Sequence, residues 1–431
     1  MWIRTSFCIS VLFAAVQSVS SNMDSKALSS SIAKFSARFC NELDKTKNVV
    51  SSPLSAEFVL ALVALGCEGA AHSELLKGLG IPNDDAIRSA FTSVSQKLRA
   101  VKGVTLNVAN KVYIKDGDYD LNEQLKTDAI KVFDAGLEKV NFGDAAAAAN
   151  LINQWVESKT NKKIKDLITS DCLNEDTRLV LVNALYFKGT WSKQFDPNNT
   201  SDQPFYINAQ TTVDVPMMYR EGDYWYGESQ ELGVQLLRIT YVGDEASMLI
   251  VLPNEISGLD AVLAKLADGF DLMAEVDKMH ETKVQVSIPK FKIESEIDLG
   301  ELLPKLGIKT IFDKGNSGLT KMLNKPESLY VSKAIQKAFI EVNEEGAEAA
   351  AATVVMFHKC CKRLRQVLYL RADRPFIYGL ELDNAQTRFF IGVFRAPKGN
   401  CISTSKYQFL RKCHIGPDFV NTMCMSPNKS K

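Results

Sequence analysis

The sequence predicts an α+β fold in one large domain. Three observations carry this: helical apolar spacing concentrated in the first two hundred residues, strand-like segments that become dense in the second half, and no repeat or long linker between the halves. At 431 residues the chain exceeds the usual size of one domain, but 46% hydrophobic and 24% charged residues describe an ordinary globular protein throughout. Its 51 basic and 51 acidic side chains cancel. No global charge therefore recruits nucleic acid or an anionic membrane, and charge-driven binding requires a local patch.

In chain order, MWIRTSFCISVLFAAVQSVSS (1–21) places Arg4 before an apolar run from Phe7 to Val16, followed by Ser18, Ser20 and Ser21. This is the pattern of a secretory signal peptide. The run is far short of the roughly 20 apolar residues that cross a bilayer, so the expected mature chain begins at residue 22, secreted and soluble. Residues 24–46 and 53–77 show helical spacing, the second opening on SSPLS (51–55), where Ser and Pro suit a helix start. VTLNVANKVYI (104–114) alternates as a strand does. LINQWVESKTNKKIKDLI (151–168) reads as a helix with Lys159, Lys162, Lys163 and Lys165 near its end, and RLVLVNALYFKGTW (178–191) is apolar enough for a strand buried on both faces. VQLLRITYV, ASMLIVLP and KVQVSIPKFKIES carry the β-branched and aromatic residues of further strands. After Lys398 the period is lost, and residues 399–431 read as an irregular tail.

Enzyme chemistry finds no foothold. His280-Glu281 begins a zinc-protease string, but Val284 stands where the second histidine belongs. GNSGL (315–319) lacks the closing glycine of a nucleophile elbow, and KGLGIP (77–82) lacks a third glycine for a dinucleotide loop; both read as turns. Nine cysteines occur, of which Cys8 leaves with the signal peptide. Cys40, Cys67, Cys172, Cys360, Cys361, Cys401, Cys413 and Cys424 are too dispersed for a disulfide framework and have no zinc spacing. Cys40 and Cys67, in apolar helical contexts, read as buried small hydrophobes. No metal or cofactor is expected. Sequons at Asn198, Asn199 and Asn428 suit a secreted glycoprotein.

One stretch remains unexplained, EVNEEGAEAAAATVVMFHKCCKRLRQ (341–366), a run of small residues followed by paired cysteines among basic side chains. Composition alone favours an alanine-rich helix. Yet EVNEEGAEAAAAT resembles the reactive-loop hinge of the serpins, serine protease inhibitors, and LRADRPFIYGL (370–380) is similar to that family's C-terminal signature. NVVSSPLS (48–55), LVNALYFKGTW (181–191), VPMM (215–218) and IPKFKIES (288–295) resemble serpin segments in the right order, so the likeness spans roughly residues 28–398. It implies a serpin domain over 22–398 with three β-sheets, eight or nine helices and an exposed reactive loop at about 344–370. It further implies a monomeric, non-enzymatic, secreted suicide inhibitor of extracellular serine proteases. A non-inhibitory carrier, chaperone or storage serpin, or an inhibitor of cysteine proteases, is the alternative.

The resemblance assigns a hinge to Glu344, Glu345, Gly346, Ala347, Glu348, Ala349, Ala350, Ala351, Ala352 and Thr353. A segment that must enter a closed sheet has to avoid bulk. As a strand, Ala347, Ala349, Ala351 and Thr353 would share the interior face, leaving the charge of Glu348 on the solvent side. Counting as the family does from Glu344 puts the scissile bond at Cys360-Cys361, with Arg363-Leu364 as runner-up. Lys359, Lys362, Arg363 and Arg365 would each suit the acidic pocket of a trypsin-like target. The paired cysteines are free or capped thiols, or bond elsewhere, since a vicinal pair fits ordinary bridge geometry poorly.

Ser52, Ser55 and Asn183 match the serpin region beneath the opening sheet, the shutter. Gln336 in SKAIQKAF stands where the family typically carries a histidine; it can still donate and accept. Trp191, Lys290 and Glu344 match the breach, where the loop first enters, with a Lys290-Glu344 ion pair expected. Lys162, Lys163 and Lys165, or the loop's basic cluster, are candidate contacts for a heparin-like polyanion or glycosaminoglycan, although the helix positions read first as a solvated face.

Overall fold

The computed structural model describes residues 25–346, 368–382 and 387–397. The signal segment, the hinge from Ala347 to Thr353, the Cys360-Cys361 and Arg363-Leu364 bonds with Lys359, Lys362 and Arg365, and the tail lie outside the described residues.

Nine α-helices occur among the described residues: α1 (Ser25–Asn41), α2 (Pro53–Leu65), α3 (Gly69–Leu79), α4 (Asp84–Ala100), α5 (Glu123–Lys131), α6 (Ala145–Lys159), α7 (Leu259–Ala267), α8 (Leu272–Val276) and α9 (Leu299–Leu302). The strands of the first half are β1 (Val49–Ser51), β2 (Val104–Lys115), β3 (Ala135–Val140), β4 (Leu179–Gly189) and β5 (Ser201–Tyr206). Those of the second are β6 (Thr212–Ser229), β7 (Val234–Thr240), β8 (Ala246–Pro253), β9 (His280–Pro289), β10 (Phe291–Asp298), β11 (Val331–Val342), β12 (Leu368–Arg371), β13 (Phe376–Leu382) and β14 (Thr387–Phe394).

Two sheets result. One has five strands in the order β10-β11-β4-β2-β3; the other has nine, along β1-β14-β13-β8-β7-β6-β9-β12, with β5 on β6. The three sheets expected are present as two hydrogen-bonded networks because the 18-residue β6 serves two of them. Its first part pairs with β5 and β9, its end with β7, which makes one continuous ladder.

Helix α2 fills the space between the sheets. It is buried on every face, all thirteen of its residues included, and apolar except at Ser55 and Glu57. Pro53 at its first turn and the Ser52 hydroxyl, which accepts from the Ser55 N–H, begin it as the sequence indicates. The expected 53–77 helix is nevertheless two. Gly66 caps α2, and Gly69 at φ +62° turns the chain into α3, a conformation L side chains rarely adopt.

The opposite face of the five-stranded sheet is covered by α6 and residues 160–169, with Ile152, Val156, Ile164 and Leu167 packed on Val180, Val182, Ala184, Ile335 and Phe339. Covered on both faces, β4 is apolar almost throughout. The 151–168 helix expected from spacing is misplaced. It starts earlier, capped by Asp144 on the Ala147 N–H, and stops at Lys159 because Asn161 and Lys162 take left-handed φ of 50° and 59°. Lys162, Lys163 and Lys165 therefore lie on an irregular connection and form no helical basic face. Cys40 and Cys67 are buried, and burial pushes each thiol up to about 12.

Candidate functional site

Strands β4 and β11 are adjacent and parallel, and their seam divides the five-stranded sheet. Their rungs run from Val331↔Leu179 to Phe339↔Tyr186. Beyond that level β11 continues to Val342 paired with β10, and β4 to Gly189 paired with β2. The seam is thus laddered along its lower part and differently held at its top.

In the lower part, register places Gln336 opposite Asn183 and Asn183 opposite Asn110, an amide row across three strands on the face toward α2. The start of α2 docks beneath this row. Gln336 Oε1 accepts from the Ser52 N–H at 3.0 Å, while its Nε2 donates to the Ser52 carbonyl at 2.8 Å and to Asn183 Oδ1 at 2.6 Å. Asn183 Nδ2 donates to both Ser55 Oγ and Asn110 Oδ1, and Ser55 Oγ donates to Asn110 Oδ1 at 3.1 Å. The Ser52 hydroxyl donates to the Phe389 carbonyl of β14, tying the second sheet to the same point. All five side chains are buried. Every group is neutral, so the network holds the strands without any ionisable member. The structure thus brings together Ser52, Ser55, Asn183 and Gln336, the four residues expected at the shutter, and adds Asn110. Sequence reasoning missed Asn110, whose only signal was a short polar side chain in the middle of an otherwise alternating strand.

At the top, residues 343–346 turn back across the seam. Gly346, at φ +121°, bridges antiparallel to Thr190, and a Cβ there would stand 2.2 Å from the Gly189 carbonyl oxygen. The Trp191 N–H donates to the Glu345 carbonyl, the Phe195 N–H to the Glu344 carbonyl, and the Trp191 indole Nε1 to the Asn343 carbonyl, each at 2.9 Å. Trp191 is buried and stacks on Tyr241 with ring centroids 4.5 Å apart. Glu344 Oε2 pairs with Lys290 Nζ at 2.8 Å, and its Oε1 accepts from Thr200 Oγ1 at 2.8 Å. Burial pushes the Glu344 carboxyl up, but the hydrogen bonds from Lys290 and Thr200 outweigh it and hold the group below the ordinary carboxylate value. Trp191, Lys290 and Glu344 therefore converge. Thr200, Asn343 and Tyr241 complete the constellation without having been singled out, since an isolated polar or aromatic residue carries no spacing signal.

Among the described residues no group of His, Cys, Asp and Glu could hold a metal ion, and no helix is long and apolar enough to cross a membrane. Asn198 and Asn199 are exposed on a short turn beside Thr200. His280 and Glu281, the start of the failed zinc string, are exposed at the beginning of β9.

The family described as serpin (serine protease inhibitor) matches residues 30–397. The chain is 42% identical to an antitrypsin of Bombyx mori over 91% of this chain and 99% of that one. It is 44% identical to antichymotrypsin-2 of the same species over 84% and 96% of the two chains. In three dimensions it is similar to Serpin48 of Tenebrio molitor, with TM-score 0.78 and 33% identity, covering 87% of this chain and 99% of that one.

Proposed function

This chain belongs to the serpin family of serine protease inhibitors, which are not enzymes, and from that premise we propose that it is a secreted glycoprotein that traps an extracellular trypsin-like protease by inserting its cleaved loop into the five-stranded sheet. One observation carries the reading. The chain leaving β11 has already reversed at Gly346 and made an antiparallel bridge to Thr190, immediately beyond β4. A strand continuing downward from that bridge would run antiparallel to both parallel walls of the seam, the direction that gives each wall a regular ladder.

The chemistry follows from that geometry. The protease's serine adds to the carbonyl of Cys360, the peptide bond to Cys361 breaks, and the new amine leaves with the C-terminal fragment. An ester now joins the protease to a chain whose start is poised at the seam. Insertion separates β4 from β11, replaces their direct rungs with two new ladders, and carries the esterified enzyme away before water completes hydrolysis. The energy source must be a cost borne by the uninserted fold. Two candidates are Glu57 in α2, buried with neither carboxyl oxygen hydrogen-bonded and its pKa pushed well above the ordinary value by desolvation, and the unpartnered Asn110 Nδ2.

The shutter and breach roles of the residues above, the Cys360-Cys361 bond with Arg363-Leu364 second, and contact of the basic loop cluster with a glycosaminoglycan belong to the same proposal. Incubation with a panel of trypsin-like enzymes should yield an SDS-stable adduct. Mass spectrometry of the released fragment should place the cut between 359 and 365; complete cleavage without adduct would exclude the trapping mechanism, and a cut N-terminal to Val355 is incompatible with the register.

A further inference from the structure

We propose that a cleft centred on Trp225, reaching the top of the seam through Ser192 and Thr240, binds a neutral saccharide. Trp225 lies on β6 and is 44% exposed, unusual for the largest apolar side chain of a central strand. Register sets it between Arg238 on β7 and Glu281 on β9. It borders a cleft of about 660 Å³ to which Lys193, Arg220, Asp223, Asp244 and Thr240 also contribute, and on its other side a 190 Å³ hollow lined by Met273, Val276 and Met279. The larger volume is in the range of small-molecule sites and holds one or two sugar rings.

The lining selects the chemistry. Lys193 and Arg220 line the cleft with Asp223, Asp244 and Glu281, and Arg238 is matched by Glu381, so the cleft disfavours an anion and offers a cation only a weak excess of negative charge. Two of the cations are already engaged: Arg220 donates to the Lys193 carbonyl at 3.2 Å and to the Tyr224 hydroxyl at 3.3 Å, and Arg238 pairs with Glu381 at 3.4 Å. A neutral ligand rich in hydroxyls avoids the desolvation of a net charge and can accept from the guanidinium groups while donating to the carboxylates. A sugar ring also offers a flat face of C–H bonds, which suits an exposed indole. The site is independent of the inhibitory reading.

The test uses the full mature protein, titrated by calorimetry and saturation-transfer NMR. The probes are neutral tetrasaccharides of glucose and N-acetylglucosamine, a glycopeptide bearing a neutral N-glycan, and a sulfated tetrasaccharide for contrast. At least one neutral probe should bind, with affinity reduced tenfold or more in Trp225→Ala, partly retained in Trp225→Phe, and reduced in Glu281→Gln. Binding of the free tetrasaccharides and of the glycopeptide distinguishes a soluble ligand from a protein-linked one. Absence of binding by every neutral probe, binding only of the sulfated probe, or affinity unchanged in both Trp225→Phe and Glu281→Gln would overturn the proposal. Should Trp225→Ala fail to fold, those two variants decide.

Discussion

The two ends of the β4-β11 seam are closed by different physics. Below, the side chains of Ser55, Asn110, Asn183 and Gln336 are joined in a buried, neutral network, and Gln336 also holds the backbone of Ser52. Above, buried Glu344 binds half-exposed Lys290 and the Thr200 hydroxyl, and the remaining bonds end on backbone carbonyls of residues 343–346 that the chain beyond would have to release first. A buried amide without its partner is costly, whereas half-exposed Lys290 has water as a substitute. On the proposed mechanism, the lower end would stay shut until the sheet is wedged apart and the upper end would yield early. An entering strand would meet weak bonds before strong ones.

The largest effect should come from breaking the lower clasp. Asn183→Ala removes the member that touches Ser55, Asn110 and Gln336, at about 1–3 kcal/mol for each buried group left unpaired. The thermal midpoint of the intact protein should fall by several degrees. A fall no greater than that of a rim variant would erase the contrast between the ends. Next comes the turn at the mouth. Gly346→Ala places a Cβ against the Gly189 carbonyl in a strained backbone region, at a cost of about 1–3 kcal/mol, and should lower the midpoint measurably.

The third effect is one of pH. With Gln336 the clasp has no titrating member, so its hold should be flat from about pH 5 to 8. Gln336→His inserts a group whose ordinary pKa is about 6.5. Burial disfavours the imidazolium and lowers the folded value, so the stability contributed is present above about 6.5 and lost as pH falls through the depressed folded value. Midpoints measured from pH 8 to 5 should decline for the variant and stay level for the parent. Smallest is the rim: Lys290→Ala should cost about 1 kcal/mol, at the top of the range for exposed pairs, because Glu344 is buried but keeps the Thr200 hydroxyl. Because the Glu344 carboxyl lies below its ordinary 4.5 in the folded chain, its contribution is present above 4.5 and lost as pH falls through the lower folded value. Lys290→Ala should flatten that acid-side slope in a titration monitored by fluorescence.

Much of this was legible in the sequence. The almost wholly buried β4 and the helix start at SSPLS each have a local signature, and the family likeness placed Ser52, Ser55, Asn183 and Gln336 near one another. Asn110 was not legible, because its role is set by register: it lies opposite Asn183 only once β2 and β4 pair. The break at Gly66–Gly69 was hidden by apolar spacing that continues across both helices, and the end of α6 at Lys159 by a run of lysines with good helix propensity. In both cases one or two residues of left-handed backbone outweighed a periodic pattern. Trp225 escaped notice because a strand aromatic is ordinarily a core residue.

The central claim is that the intact fold is higher in free energy than the form with its loop inserted, and calorimetry before and after a single cut in the loop measures this directly. The cleaved protein should melt at least about 10 °C above the intact one, which at roughly 1 °C per kcal/mol for a chain of this length corresponds to about 10 kcal/mol. Coincident transitions, or a lower one after cleavage, would mean that no strand enters the seam and that inhibition by insertion is excluded.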